Sequence, residues 1–226
     1  MAKKPHIKPV GTSVSLRHKT GLNIDERLKL RALSPSVKDS IELKVASAFE
    51  KNVLILNDGK AVELKQLDED DLDFFCQEEG RVSKLELTEL VLATPPYQEI
   101  GDTAKIQVPI FADRLAELVT KKNSKHYSSE VPIDLLIYTT HFAYHGNNHC
   151  VELAGERLRH LQLGEKFSRI FYLGYNGGPN ELHLLKPYRN TLTPSYRREL
   201  EKQWFITMNF NEGTPVEGGT KFEFKL

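Results

Sequence analysis

Apolar residues recur along the chain with two different periods, and the changes of period mark its elements. From Val37 onward, Ile41, Val45, Ala48, Phe49 and Val53 keep the spacing of a helix with one packed face. Ser36 with Asp39 suits the start of that helix, after an interruption at Ser34-Pro35. Glu42 lies on one stripe with Ala46, Phe49 and Val53, so it borders the packed face. Two readings stay open for it, an exposed helix acid or a side chain pointing into a site. A shorter helix through Leu33 is predicted upstream, where Asn23 and Glu26 have capping-box spacing. A turn at Asn57-Asp58-Gly59 then leads to mixed polarity over residues 61–67, which predicts a strand at a sheet edge.

The period drops to two between Asp71 and Val91. Two apolar-rich runs flank Glu79-Gly80, the pattern of a β-hairpin. With the bend there, Phe75 stands opposite Lys84 and Asp73 opposite Glu86, about 5 Å apart at Cβ. Alternation puts Leu72, Phe74, Cys76, Leu85, Leu87 and Val91 on a core face. The other face carries Asp73, Phe75, Gln77, Val82, Lys84, Glu86, Thr88 and Leu90. Opposed like charges destabilise a sheet unless something neutralises them, and Asp73 and Glu86 are such a pair. A hard divalent cation would serve, since carboxylates plus waters are a common Mg²⁺ environment. A solvated face with Lys84 between the acids is the alternative. The acidic run at residues 68–71 suits a solvated loop and is not assigned to metal.

Beyond Thr94-Pro95-Pro96 an irregular connection is expected over residues 97–108. Pro109 then suits the first turn of a helix whose stripe is Phe111, Leu115, Leu118 and Val119. That helix ends in Lys121, Lys122 and Lys125, with Tyr127 beyond. Cations in a last turn complement the helix dipole, and Lys122 and Lys125 are also placed to reach a phosphate. Residues 133–140 are near-continuously apolar, the mark of a central parallel strand. Asn147 or Asn148 caps the next helix, a strand follows at residues 169–175, and the three make a βαβ unit. Residues 181–186 predict another strand, residues 194–204 a helix, and Phe222-Glu223-Phe224 an edge strand. The expected class is α/β, a mixed sheet of antiparallel meander plus parallel βαβ unit, with helices on both faces. The expected divisions are a flexible basic arm at residues 1–22, a core at 23–187 and a helix-and-strand extension at 188–226.

Charge narrows the partners. Lysines and arginines balance aspartates and glutamates at 31 each over 226 residues, so any nucleic-acid surface must be a local patch. Cys76 and Cys150 lack CxxC spacing, which suits a reducing cytosol, and no apolar run reaches membrane-spanning length. His141, His145 and His149, followed by Cys150, span a strand end, a loop and a helix start. They are read as loop histidines at the ligand-binding edge of the sheet rather than as zinc ligands. The turn from Gly174 to Pro179 lacks the Gly-Lys-Ser/Thr ending of a phosphate loop.

A helix acid at Glu42, an Asp at the start of one strand (Asp73-Phe74) and Leu85-Glu86-Leu87-Thr88-Glu89 on the next follow in that order. This resembles the core of the restriction-endonuclease-like, or PD-(D/E)XK, nuclease superfamily over residues 34–175. The family's lysine is expected two residues after Glu86, where this chain has Thr88. The resemblance implies a metal-dependent phosphodiesterase acting on nucleic acid, DNA first, in which Asp73 and Glu86 hold Mg²⁺ or Mn²⁺. Lys84 would orient the water or bind phosphate, Thr88 would fill the lysine's place, and Glu42 would hold a metal-bound water. A homodimer is a further expected partner. The alternative is a member that has lost its chemistry and serves as an interaction or regulatory module.

Overall fold

The computed structural model describes residues 12–18, 35–56, 61–67, 72–91, 98–100, 103–140, 145–175, 181–187 and 191–210. Outside them lie the helix expected before Leu33, the Asn57-Asp58-Gly59 turn, the acidic run 68–71, His141 and Phe222-Glu223-Phe224.

Fourteen elements follow in order: β1 (Thr12–His18), α1 (Pro35–Leu56), β2 (Val62–Gln66), β3 (Phe74–Glu78), β4 (Arg81–Glu89), β5 (Gln98–Ile100) and β6 (Thr103–Gln107). They continue with α2 (Val108–Asn123), β7 (Ile133–Thr139), α3 (Asn148–His160), β8 (Phe167–Gly174), β9 (Glu181–Lys186), α4 (Pro194–Leu200) and β10 (Trp204–Phe210). A six-stranded sheet has the order β2-β3-β4-β7-β8-β9. Its β2-β3-β4 meander is antiparallel, β4-β7-β8 are parallel, and β9 returns antiparallel. This is the expected mixed α/β sheet. Every residue of β7 is buried, as a central parallel strand requires. At the β2 edge the Leu64 N–H is met by Glu50 Oε1 of α1 at 2.8 Å.

Alternation along the strands divides the core between two faces. Leu85 and Leu87 of β4, Leu136 and Tyr138 of β7, and Phe171 and Leu173 of β8 pack beneath Val45, Phe49 and Val53 of α1. Leu135, Ile137, Ile170 and Tyr172 face Phe111, Leu115 and Val119 of α2 and Leu153 and Leu158 of α3. Leu72 joins this second group rather than the α1 face, because it lies beyond the paired stretch of the hairpin, while Leu90 is there by alternation with Glu86 and Thr88, as expected. Val91, expected in the core, is 52% exposed past the end of β4.

Three expectations are corrected. The stretch 97–108, expected to be irregular, contains β5 and β6. The helix at 194–204 stops at Leu200, and Trp204 begins β10. The segment read as a flexible arm contains β1, which pairs parallel to β10. These strands form a second sheet, β1-β10-β6-β5. Its Ile106 and Phe205 are fully buried in the α2 core, Phe205 lying edge-on to Phe111 at 6.1 Å. Alternating short strands carry little periodic signal, which is why sequence patterning misses them. Among the described residues no helix is long and apolar enough to cross a membrane.

The hairpin tip is tied to the sheet by charge. Glu79-Gly80 makes the bend, Gly80 at φ +75°, a conformation that side chains disfavour. On either side, Glu78 and Arg81 join a buried hub at Asp134. Its carboxylate accepts from Arg81 (2.9 and 2.8 Å), from Ser83 Oγ (2.9 Å) and from Arg169 Nη2 (2.7 Å). Arg169 also donates to Glu78. Burial pushes the Asp134 carboxyl upward, but the bonds from Arg81 and Arg169 outweigh that and hold it below the usual range.

Three outcomes are expected from unfolding measurements. Asp134→Asn should cost about 3–5 kcal/mol, because it leaves two partly buried guanidiniums with only Glu78 as a carboxylate partner. Asp134's folded value is depressed, so its contribution is present above the unfolded carboxylate range and is lost as pH falls through the folded value. Wild-type stability should therefore fall with acid more steeply than that of the variant. At Gly146, an added Cβ would come within 2.5 Å of Phe111 Cζ, itself locked against Tyr172 and Phe205. Gly146→Ala should cost about 1–3 kcal/mol in denaturant unfolding.

Candidate cation and phosphate site

The site begins where β4 outruns β3. Their pairing ends at Phe74–Leu85, while β4 continues beside β7 to Glu89–Tyr138. Asp73 closes the gap. Its N–H donates to Leu85 O at 3.2 Å, and its Oδ2 accepts the Leu87 N–H at 2.6 Å. The side chain thus stands in for the next residue of a partner strand. Extending the register sets Asp73 opposite Glu86, the adjacency expected from the hairpin.

Glu86 is 5% exposed, on the α2 face of β4. Its Oε1 meets Lys122 Nζ at 2.5 Å, Lys125 Nζ at 3.9 Å and Tyr127 OH at 3.5 Å. Burial raises the carboxyl above its ordinary range, Lys122 and Lys125 pull it back, and Asp73 adds to the rise. The Tyr127 ring is held edge-on to Phe167 at 5.8 Å.

Lys122 comes from the last turn of α2, whose stripe Phe111, Leu115 and Val119 is buried. It falls one turn beyond Val119, so the buried stripe carries its ammonium inward to Glu86 rather than out to solvent. That periodicity is the signal by which the sequence marks Lys122. The dipole reading accounts equally well for a lysine there, which is why it stood as one cation among three.

Beside the pair, a cleft of about 330 Å³ opens at the unpaired edge of β4. Ile41 and Glu42 of α1 line it with Leu87, Thr88 and Glu89, Tyr138 and Lys122. Glu42 approaches from the α1 side and Lys122 from the α2 side, because the missing stretch of β3 lets the cleft pass around the strand. Thr88 is 9% exposed on the Glu86 face. Glu89, which sequence reading left out, accepts a hydrogen bond from Thr140 Oγ1 at 2.6 Å. Lys84 shares the Glu86 face, opposite Phe75. Asp73, Lys122 and Lys125 are thus brought to Glu86, Glu42 and Thr88 line the neighbouring cleft with Lys122, and Lys84 lies two residues back along β4.

Two carboxylates here suit a hard cation that keeps several waters. Among the described residues no group of three or more His, Cys, Asp or Glu side chains is arranged to hold a metal. His145 is fully buried, packed against Gly174, and His149 lies against the Tyr196 ring. Compared with known proteins, the chain matches no family model, no curated protein and no solved structure.

Asp73 has a structural duty that a test must separate from any chemical one. Asp73→Asn keeps an oxygen for the Leu87 N–H, whereas Asp73→Ala removes it. Thermal unfolding should show Asn close to wild type and Ala lower by about 1.5–3 kcal/mol.

Proposed function

We propose that the chain is a metal-dependent phosphodiesterase of restriction-endonuclease-like architecture, acting on nucleic acid and on DNA first. The order α1, the β2-β3-β4 meander, α2 and parallel β7 supports that architecture. The observation that carries the activity is the adjacency of Asp73 and Glu86, with Lys122 on Glu86 and lining the neighbouring cleft.

In this reading Asp73 and Glu86 hold Mg²⁺ or Mn²⁺. Such an ion, when bound, would supply a more acidic water and offset charge on the phosphate. Lys122 and Lys125 bind the phosphate oxygens and stabilise charge as it develops. Lys122 does from a helix what the family's lysine does from the strand. Thr88, at the family lysine's position, contributes a hydroxyl only. Glu42, on the opposite wall of the cleft, orients water.

A second reading rests on the same bonds. Asp73 Oδ2 and Glu86 Oε1 are already engaged within the chain, and Thr88 stands where the family has lysine. These favour a module that keeps the fold without the chemistry.

Cleavage of single- and double-stranded DNA and RNA in Mg²⁺ and Mn²⁺ decides between them. Wild type should cleave weakly, and Asp73→Asn, Glu86→Ala and Lys122→Ala should each lose on the order of a hundredfold. Lys84→Ala should lose less than Lys122→Ala. A wild type inert in both metals, or an Asp73→Asn protein as active as wild type, would leave the module reading standing.

A further inference from the structure

We infer that Lys122 is a displaceable counter-ion: its ammonium holds Glu86 in the absence of a divalent cation and passes to the phosphate when one binds. Cation and phosphodiester binding then favour each other. The inference rests on reading Asp73 and Glu86 as cation ligands.

The contacts around Glu86 Oε1 are the first support. A single carboxylate oxygen receives the Lys122 ammonium at 2.5 Å and faces the Lys125 ammonium at 3.9 Å. The Lys122 and Glu86 side chains are only 14% and 6% exposed, so water screens their pairing poorly. A divalent ion on that carboxylate would meet an ammonium within about 4 Å, where like charges repel strongly. The ion and the Lys122 contact therefore exclude each other.

The second support is room to move. Lys122 lines the cleft of about 330 Å³, and its flexible stem allows the ammonium to swing without moving α2. A phosphate seated over the ion would offer the released charge an anionic partner in the cleft that Glu42 and Glu89 also line. Each ligand then removes a cost from the other's binding, which is positive coupling.

Mn²⁺ affinity measured calorimetrically on the full chain, without nucleic acid, tests this directly. Lys122→Met should tighten Mn²⁺ on the order of tenfold, within the usual range of such couplings. Lys122→Arg keeps the charge and should stay near wild type, and Lys125→Met should tighten Mn²⁺ by less than Lys122→Met. Glu86→Gln should abolish binding. A phosphorothioate oligonucleotide followed by fluorescence anisotropy should gain affinity from Mn²⁺ in wild type, and the gain should shrink in Lys122→Met. Thermal melts establish folding, and Lys125→Met carries the test if Lys122→Met does not fold. Saturable Mn²⁺ binding lost in Glu86→Gln but not tightened by either methionine variant would overturn the displacement and leave the metal site intact. Absence of saturable binding, or binding that survives Glu86→Gln, would overturn both.

Discussion

A strand that continues past its partner exposes backbone groups that the sheet no longer satisfies, and β4 does so after Leu85. Buried N–H groups need an acceptor. Here the acceptor for Leu87 is the Asp73 carboxylate, so the residue that ends β3 also repairs the edge it leaves. The same break in pairing opens the cleft and lets α1 and α2 contribute to it from opposite faces of one sheet. Asp73 cannot be moved without reopening the edge, and Glu86 cannot be moved without losing its place opposite Asp73. Edge repair and the Asp73–Glu86 adjacency are joined at one backbone hydrogen bond.

The β4–β7 pair carries a buried carboxylate system on each face, one register step apart, and they differ in how fully they are compensated. Asp134 receives two guanidiniums, a hydroxyl and a backbone N–H, and its carboxyl is held low. That is a closed structural network, with no charge left for other work. Glu86 has one close ammonium and one more distant, has Asp73 nearby, and is raised instead. An under-compensated buried acid beside a cleft is a poor choice for stability alone. The contrast within one molecule argues that Glu86 is kept for something besides folding.

The hairpin register was legible in the sequence because the bend at Glu79-Gly80 and the alternation on both arms agree, and a one-residue slip would have buried the polar face. The Asn147 cap of α3 and the buried β7 were legible for similar reasons, a specific donor–acceptor need and a continuous apolar run. Lys122 as the partner of Glu86 was not. The two lie 36 residues apart, and nothing local ties a helix terminus to a particular strand position. The second sheet was missed because β5 and β6 are short and β10 follows the short helix α4 with only three residues between them. Propensity across that junction favours continuing the helix, and only tertiary pairing with β6 overrides it.

Where the lysine comes from changes what controls the site. At position 88 a lysine would be carried by the same strand as Glu86, and strand alternation alone would fix their relation. Lys122 is carried by α2, which is positioned against the sheet by Phe111, Leu115 and Val119. The fit of Phe111 against Gly146 and the edge-on ring of Phe205 therefore help set the distance between Lys122 and Glu86. A shift of α2 by about 1 Å would leave Asp73 and Glu86 in register yet misplace the ammonium, which in the proposed phosphodiesterase would cost on the order of a hundredfold in rate. Packing of the second sheet beneath α2 thus bears on the Lys122–Glu86 contact as well as on the fold.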